Sequence, residues 1–409
     1  MRQDIENLRQ LARHYAAAAA HPRNKENEKL YRAVNGLRMI RPVVLVDAQP
    51  WPELLADGAL EMRCQDPFFR GYELYLRQKL FQWTHHPADM ILLPYIPVKK
   101  MIGGEPGGMP IQETTLFAAA EENSKICSHA YADQLENEAD IAKIRMPSLT
   151  YERAATESAR DRLDEAIGDI VPVRITGHDC YISQWDTIAQ YRGVSSLLID
   201  LVERPEHTHA IMERVTRMYI ERCRQFEALG LLEAELPLVH CTAAYCDDLR
   251  APGAGPVLRQ NVWGRCMAQI FASVSPAMHE EFEIEYQKRT MEPFGLVYYG
   301  CCEPLDRKID IVRKIPHLRK ISITPWADIH VAAEAIGKDF VVAAKPNPAH
   351  VGGPFDAAVV RREIENILDA CYRYGCSCDI VLKDISTVGH RPENLRLWER
   401  TVMDVVKSH

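Results

Sequence analysis

The sequence predicts an α/β protein arranged as a (β/α)8 TIM barrel, and three observations lead to that fold class. Eight short runs are apolar throughout, and helical patterns lie between them. Runs without polar alternation are typical of parallel strands that are buried on both faces. The chain of 409 residues, 47% of them hydrophobic, also supplies enough apolar material for one large core. A doubly wound open sheet is the alternative architecture.

The predicted strands and helices alternate along most of the chain. The strands are predicted at residues 42–47, 90–94, 170–176, 267–273, 296–300, 320–324, 340–345 and 380–384. Helices between them are predicted at residues 206–229, 277–292 and 328–336. Ser275 and Pro276 supply an N-cap and a first helical residue to the second of these helices, and Gly337 ends the third.

The βα pattern divides the chain into an extension and one barrel domain. Residues 1–37 form a charged, amphipathic helical extension, and residues 38–409 form the barrel. Two segments interrupt the pattern, at about residues 101–165 and 231–264. Loops that follow barrel strands lie on the catalytic face, so we expect both insertions over the C-terminal face of the barrel.

Charge and cysteine content exclude several classes of protein. The chain has 49 Lys and Arg against 57 Asp and Glu, a formal net charge of −8, so neither nucleic acid nor a membrane surface is expected as the main partner. No apolar run approaches 18 residues, and the first residues do not resemble a signal peptide. We therefore expect a soluble, cytoplasmic protein whose twelve cysteines are mostly reduced. The apolar content is compatible with a homodimer.

Polar residues at the ends of the predicted strands should meet at one mouth of the barrel. Candidate catalytic residues are Tyr299, Glu303, Lys345 and Asp384, and candidate substrate-binding residues are His178, Trp326, Asn347 and Lys383. Nucleotide and serine-hydrolase chemistry are not indicated, because the chain lacks a P-loop, a GxGxxG turn after a strand and a GxSxG elbow.

The pair Cys301-Cys302 lies in the sharpest local motif, YGCCE at residues 299–303. A thiolate is a soft zinc ligand and a strong nucleophile, whereas an ordinary free cysteine is a small buried apolar residue. Adjacent residues of an extended chain point to opposite sides, so the two cysteines are not expected to bind one metal. Cys301 is the preferred candidate.

Four segments match, in order and spacing, the motifs of one superfamily. They are residues 268–273 (AQIFAS) with the following Ser275-Pro276, residues 191–206 from Tyr-Arg-Gly to Arg-Pro-Glu, residues 345–348 (KPNP) and residues 392–395 (PENL). The chain resembles the uroporphyrinogen decarboxylase superfamily over most of residues 38–400. That group of TIM barrels also contains cobalamin-linked methyltransferases.

Departures from the superfamily motifs favour the methyltransferase branch. The chain lacks the GRY-type arginine motif and the GHG motif of true uroporphyrinogen decarboxylases. Where the zinc methyltransferases have HxC, this chain has Tyr299-Gly300-Cys301, and Lys383-Asp384 lies near the place of their second cysteine. The resemblance implies a metal site with exchanged ligands. Zinc held by Cys301, Glu303, His240 and Asp384 satisfies the ligand chemistry.

The resemblance implies an O-demethylase component that moves a methyl group from a small methoxylated, aromatic or otherwise methylated donor to the cobalt of a corrinoid protein. A metal, or Glu303 as an acid, would polarise the leaving group. The alternative is a decarboxylase or lyase that acts on a small carboxylated substrate without corrinoid, with Lys345 and Lys383 as electrostatic clamps.

Overall fold

The computed structural model describes residues 2–58, 60–118 and 127–409. Its helices are α1 Arg2–Ala19, α2 Arg23–Asn35, α3 Trp51–Ala56, α4 Pro67–His85, α5 Arg153–Ile167, α6 Gln184–Arg192, α7 Val194–Glu203, α8 Pro205–Ala228, α9 Pro276–His279, α10 Glu285–Met291, α11 Ile309–Val312, α12 Ile329–Ile336, α13 Ala357–Tyr374 and α14 Glu393–Ser408. Short 3-10 turns lie at Glu138–Lys143, Arg259–Asn261, Gln269–Ser273 and Pro348–Val351, and a π-helical turn at Glu280–Ile284 joins α9 to α10.

The strands are mostly short. They are β1 Val43–Val46, β2 Ile96–Lys99, β3 Ile102–Glu105, β4 Glu113–Ala118, β5 Cys127–Tyr131, β6 Ser148–Tyr151, β7 Val173–Thr176, β8 Cys180–Tyr181, β9 Leu238–Val239, β10 Thr242–Ala243, β11 Trp263–Cys266, β12 Leu296–Tyr299, β13 Leu318–Ile323, β14 Val341–Ala344 and β15 Ser377–Leu382.

A parallel sheet of seven strands dominates the fold, with the spatial order β1-β15-β14-β13-β12-β11-β8. From β11 to β15 each strand pairs in parallel with the next one in the sequence, and β15 pairs with β1. Their carboxyl ends therefore meet at one edge of the sheet. Parallel pairing with helical connections is the α/β arrangement that the apolar runs predict.

The predicted barrel closure is not found among the described residues. Strands β2 and β7 form a separate parallel pair, and no strand ladder joins β1 to β2. One backbone hydrogen bond, from Asp89 N to Val44 O at 2.9 Å, crosses that gap. On the other side, β7 and β8 follow one another within residues 173–181. The structure is thus an open seven-stranded parallel sheet with many helices.

The two faces of the sheet pack against different elements. Side chains on one face, which we name the helix face, pack with the helices in the largest core cluster; they include Val44, Cys266, Val297, Ile321, Val342 and Ile380. Side chains on the opposite face pack around the two-stranded hairpin β9-β10; they include Val43, Trp263, Leu296, Tyr298, Val341 and Val381. We name this second face the hairpin face. Burial on both faces explains why the strands lack polar alternation.

The second predicted insertion contains that hairpin, whose two-residue turn is His240-Cys241. His240 adopts a φ of 56°, which closes the turn tightly. We expected residues 231–264 over the C-terminal face, but β9-β10 lies against the hairpin face. The segment also ends in a strand of the main sheet, β11.

The first insertion forms two small antiparallel pairs, β3·β6 and β4·β5. Helix α5 then returns the chain to β7, and it shares a buried cluster with α1 and α4. Residues 119–126 of the predicted insertion lie outside the described residues.

Two predicted strands are misplaced. Residues 267–273 fold largely as a 3-10 turn, and the strand β11 ends just before them. Residues 90–94 precede β2 rather than form it. The predicted helix termini are confirmed: Met278 N donates to Ser275 Oγ at 3.3 Å, and Gly337 ends α12 with a φ of 53°. In the described part of the chain, no helix combines the length and the apolar character that crossing a membrane requires.

Candidate functional site

Five polar side chains meet at the carboxyl edge of the sheet. We name them the thiol cluster, and they are Cys301 and Cys302 after β12, Lys383 and Asp384 after β15, and His240 at the tip of the hairpin. Cys301 Sγ lies 3.7 Å from His240 Nε2 and 3.6 Å from Cys302 Sγ. The cluster thus brings together residues that lie 61 and 82 positions apart in the sequence.

Both thiols of the pair Cys301-Cys302 face the cluster, contrary to the expectation that adjacent side chains diverge. The expectation fails because β12 has already ended at Tyr299 and Gly300 turns the chain with a φ of 95°. A side chain at Gly300 is unfavourable, since its Cβ would lie 2.7 Å from Leu305 Cδ1. The turn therefore removes the alternation that an extended strand imposes.

Lys383 supplies the positive charge of the thiol cluster. Its Nζ donates to Cys301 Sγ at 3.1 Å and to Cys302 Sγ at 3.5 Å. The same atom forms an ion pair with Asp384 Oδ2 at 2.7 Å. The Lys383 side chain is buried while that of Asp384 is half exposed, so the ion pair reaches from the interior to solvent.

The contacts of Cys301 favour its thiolate form. The hydrogen bond from Cys302 lowers the pKa of the Cys301 thiol well below its usual value, and His240 and Lys383 lower it further. Cys302 keeps its proton, because donating that hydrogen bond raises its pKa. One thiolate and one thiol are the expected state of the pair at neutral pH.

His240 is favoured in its protonated form. Burial lowers the pKa of the imidazole, but hydrogen bonds with Cys241 and Cys301 outweigh burial and raise it. The pKa of Lys383 is also raised, because the negative charge of Cys301 and the ion pair with Asp384 outweigh its burial. The raised pKa values favour the charged forms of His240 and Lys383 next to the Cys301 thiolate and the Asp384 carboxylate.

A second ammonium and thiol meet beside the cluster. Lys345 Nζ, at the end of β14, donates to Cys241 Sγ at 3.3 Å and lies 5.9 Å from the centre of the Tyr298 ring. Burial raises the pKa of the Cys241 thiol, but the charges of Lys345 and His240 produce a net lowering. Each residue of the hairpin turn thus contacts a side chain from a strand end.

The hairpin is anchored by a buried ion pair. Lys320 Nζ lies 2.8 Å from Asp379 Oδ2, and both side chains have 0% exposure. The same ammonium donates to Thr242 Oγ1 and to Ala243 O, each at 2.8 Å. Thr242 also donates to Asp379. The contacts fix β10 against β13 and β15, two residues from His240.

Glu303 holds the loop rather than facing the cluster. Its carboxylate is fully buried and accepts hydrogen bonds from Cys301 N at 2.9 Å and from Ala268 N at 3.1 Å. Burial raises its pKa to about 7 despite those hydrogen bonds. Glu303 therefore ties the Cys301 loop to the residues after β11, and both its oxygens are already used.

Two other predicted residues lie away from the cluster. Tyr299 points to the helix face, where its Oη lies 2.6 Å from His279 Nε2. Trp326 follows β13 and is 71% exposed. Neither side chain has a hydrogen bond to a thiol-cluster residue in the described chain.

His178 and Asn347 are also engaged elsewhere. His178 Nε2 lies 2.7 Å from Lys100 O, and the ring lines a cavity of about 230 Å³ next to Asp179 and Tyr181. Asn347 accepts a hydrogen bond from Ala349 N at 3.0 Å and so caps the 3-10 turn that follows it. The Asn347 side chain therefore stabilises the local turn and has no hydrogen bond to the thiol cluster among the described residues.

The thiol cluster fits zinc in donor type but not in arrangement. Adjacent ligands of a tetrahedral zinc ion are about 3.5–3.8 Å apart, given bonds of about 2.0–2.3 Å, and the contacts of Cys301 with His240 and Cys302 have that spacing. However, the Lys383 ammonium already contacts Cys301, Cys302 and Asp384. A metal shared by those donors would have to displace it.

A different trio has the mutual spacing of metal ligands. Among the described residues, the donor atoms of Glu53, Asp57 and His390 lie within 4.8 Å of one another. Glu53 accepts hydrogen bonds from the backbone N of Val388 and His390, and His390 Nδ1 lies 2.8 Å from Asp57 Oδ1. The trio joins α3 to the loop after β15 and is explained by those contacts.

From the sequence, Cys301 was preferred to its neighbour Cys302, and His240 was selected without its neighbour Cys241; Arg265 was missed altogether. Cys302 and Cys241 each follow a residue that was selected, but the sequence does not show the turns that bring their thiols to the site. Arg265 lies in β11, which the pattern placed at 267–273. With the strand at its true position, alternation would have put Arg265 on the same face as Trp263.

Comparisons with known proteins give little further information. No protein-family model matches the chain, and no curated protein matches it. Twenty-two chains of solved structures match, and one is a methyltransferase from Methanosarcina mazei. It is 11% identical, the match covers 92% of this chain and 98% of that chain, and the TM-score is 0.49. Likeness at this level leaves the activity to be argued from the site.

Proposed function

We propose that the protein is a methyltransferase that moves a methyl group from a small methoxylated or methylated donor to the cobalt of a corrinoid protein. The proposal is supported by the ordered motifs that resemble the uroporphyrinogen decarboxylase superfamily. It is also supported by the position of the thiol cluster at the carboxyl ends of parallel strands, where α/β enzymes place their chemistry.

The observation that carries the proposal is the position of Cys301 Sγ, 3.7 Å from His240 Nε2 and 3.1 Å from Lys383 Nζ. Transfer of the methyl group from an ether to a corrinoid would break the bond between carbon and oxygen, and the oxygen that leaves would have to gain a proton. A protonated His240 can donate that proton. Cys301, as a thiolate, keeps the imidazole charged and directed into the cluster.

We propose that Lys383 is the resident cation of the site. Its contacts with two sulfur atoms and one carboxylate place positive charge where a metal would otherwise balance the thiolate. Zinc bound by Cys301 and His240, with Asp384 as a third ligand, is the alternative, and it would act as a Lewis acid on the leaving group. That alternative requires Lys383 to move.

A decarboxylase or lyase is supported less well. It would use Lys345 and Lys383 to bind a carboxylate, but both ammonium groups are already engaged by thiols. Those contacts leave neither lysine free as a simple electrostatic clamp.

The experiment mixes the purified protein with a reduced corrinoid protein and a panel of methoxylated and methylated compounds. We expect the absorbance change of methyl-cobalt formation, and we expect Cys301→Ser and His240→Ala to abolish it. Cys64→Ser is the matched control, because Cys64 is also a buried free thiol but lies in the separate cluster of α1, α4 and α5. No methyl transfer with any donor, or release of carbon dioxide without corrinoid, would overturn the proposal.

A further inference from the structure

Arg265 is a buried cation without an acidic partner. It lies on β11, the second strand from one edge of the sheet, and is 3% exposed. None of its nitrogen atoms lies within 4.0 Å of a carboxylate among the described residues, its Nε has no hydrogen-bond partner, and its Nη2 donates only to Met267 Sδ at 3.2 Å. A guanidinium has five N–H donors, so most of its capacity is unused.

Such a group is expensive to bury. A buried charge is normally paired and hydrogen-bonded, because removing it from water otherwise costs several kcal/mol. Other buried cations of the described chain have carboxylate, carbonyl or thiol partners: Arg192 donates to Asp200 Oδ2 at 2.8 Å, and Lys320 pairs with Asp379. Lys308 and Lys345 have no carboxylate within 4.0 Å in that part of the chain, but they donate to Phe271 O at 2.6 Å and to Cys241 Sγ at 3.3 Å. Arg265 differs from these residues because its Nε has no hydrogen-bond partner and its Nη2 reaches only a thioether, and this unused capacity points to a partner that arrives from outside the chain.

Arg265 lies close to the thiol cluster. It belongs to the hairpin face, and its register partner on β12 is Tyr298. The next residue, Cys266, accepts a hydrogen bond from Gly300 N at 2.9 Å, one residue before Cys301. The positive charge of Arg265 also acts on the pKa of His240, which it lowers slightly against the larger effects of burial and hydrogen bonding. The guanidinium and the cluster therefore occupy neighbouring strand ends.

The side chain of Arg265 contacts the edge strand β8. On the other side of β11 it faces Tyr181 of β8, with the guanidinium carbon 4.4 Å from the centre of the tyrosine ring. Tyr181 is 45% exposed and lines the 230 Å³ cavity described above. Arg265 thus lies next to a residue that lines the cavity, and a cation–π contact with that ring does not use the N–H groups of the guanidinium.

The charge of Arg265 acts on Asp186, but the two residues do not form an ion pair within 4.0 Å. Asp186 accepts hydrogen bonds from Ser183 Oγ and Gln269 Nε2, each at 2.9 Å. Asp186 lies in the first turn of α6, and its contacts there leave the Arg265 donors unsatisfied.

We infer that Arg265 binds the carboxylate of a small anionic substrate and holds it next to the thiol cluster. A planar guanidinium matches a carboxylate with two parallel hydrogen bonds, which fixes both the position and the orientation of the bound molecule. This inference rests on the proposed function, for which it names the substrate class: a methylated compound that carries a carboxylate. Phosphate offers a related anion and is included in the test.

The test measures binding by calorimetry, without corrinoid and without turnover. The probes are methoxyacetate, 4-methoxybenzoate, the neutral amide of each, and inorganic phosphate. Wild-type protein should bind at least one carboxylate and should bind its amide at least about 30-fold more weakly, because the amide leaves the buried charge unpaired. The comparison of acid with amide uses unaltered protein and so does not depend on a variant that folds.

Two substitutions locate the site. Arg265→Met should remove the preference for the acid, and Arg265→Lys should restore it only in part because the bidentate geometry is lost. Arg319→Met is the matched control, since Arg319 is a half-buried arginine on β13 that is paired with Asp248 at 2.7 Å. It should leave binding unchanged.

The outcomes separate this inference from the proposed function. Equal binding of acids and amides, tighter binding of phosphate than of any carboxylate, or unchanged acid binding in Arg265→Met would overturn the inference even if neutral donors were demethylated. Carboxylate binding that is lost in Arg265→Met supports it even if no methyl group reaches cobalt, in which case the proposed function alone fails.

Discussion

The Lys383 Nζ atom lies 3.1 Å from Cys301 Sγ and 2.7 Å from Asp384 Oδ2, so one ammonium joins a thiol to a carboxylate across the ends of β12 and β15. In a partly buried site such a cation stabilises the thiolate strongly. Its effect on the chemistry of Cys301 can be measured directly.

Alkylation of Cys301 should depend little on pH. An ordinary thiol has a pKa of about 8.5 and loses reactivity below it, whereas the lowered pKa of Cys301 keeps the thiolate present in mildly acidic solution. The variant Cys302→Ser isolates Cys301, and mass spectrometry of the Cys301 peptide measures its rate of reaction with iodoacetamide. We expect this rate to stay constant from about pH 8 to about pH 5. Serine is chosen because its hydroxyl keeps a donor to Cys301.

Replacing Lys383 should change that profile. Lys383→Met removes a positive charge next to the sulfur, so the thiol pKa should rise and the rate below about pH 7 should fall. In Cys302→Ser protein that retains Lys383, an alkylation rate that falls tenfold per pH unit below about pH 8 would contradict the assignment of Cys301 as a thiolate.

Metal content distinguishes the two possible cations of the site. If Lys383 balances Cys301, protein purified without chelators should hold well under one zinc per chain, as measured by atomic emission. Added zinc should bind more tightly to Lys383→Ala, because the competing ammonium is gone. Stoichiometric zinc in the wild type that is lost in Cys301→Ala would instead establish the zinc alternative.

Breaking the hairpin anchor should be costly. Lys320→Met leaves the buried Asp379 carboxylate unpaired, and we expect a loss of about 3–5 kcal/mol in the free energy of unfolding from urea titration. Lys320→Met combined with Asp379→Leu should regain part of that loss, because no uncompensated charge remains. Lys338→Met, at an exposed position, is the control and should change stability by less than about 0.5 kcal/mol.

The same variants test how His240 is positioned. If the anchor only stabilises the fold, the alkylation profile of Cys301 should survive in the doubly substituted protein. If it also places the hairpin tip, as the contacts of Thr242 indicate, the profile should shift toward that of an ordinary thiol.

Glu303 should make the protein less stable as pH rises. Its folded pKa of about 7 lies above the ordinary value of about 4.3, so the folded state holds the proton more tightly than the unfolded state does. The stabilising contribution is full below about pH 4.3 and is lost as pH rises to about 7. Glu303→Gln should remove this part of the pH dependence of the unfolding free energy, whereas exposed Glu165→Gln should not. Parallel curves for Glu303→Gln and the wild type would contradict the assignment.

The fold class follows from the sequence because strands buried on both faces leave a strong apolar signal. Residues 296–300, 320–324, 340–345 and 380–384 all overlap strands of the sheet. A strand was wrongly predicted at residues 267–273 because this segment is mostly apolar, although it leads into a helix that begins with Ser-Pro. The true strand lies just before it and contains the charged residue Arg265. A charged residue in a buried strand weakens the apolar pattern by which the strand is recognised, and such residues tend to lie at functional sites.

The site was predictable only in part. Cys301, His240, Lys383 and Asp384 were all named, yet their arrangement depends on a hairpin that contacts strands more than 70 residues later. No local pattern predicts which face such a hairpin covers. The positive φ of Gly300, which turns both thiols to one side, is also a property of the folded loop.

The hairpin has a consequence for the order of assembly. It precedes β11 in the chain, but its anchor Asp379 lies in β15 and its neighbour Lys383 directly follows that strand, close to the C-terminus. Contacts of such long sequence separation form slowly, since each requires a large loop to close. A nascent chain that lacks β15 can therefore pair its earlier strands but cannot fix His240 beside Cys301. Chemical competence should appear at the end of folding, and a reactive Cys301 would serve as a probe of complete assembly.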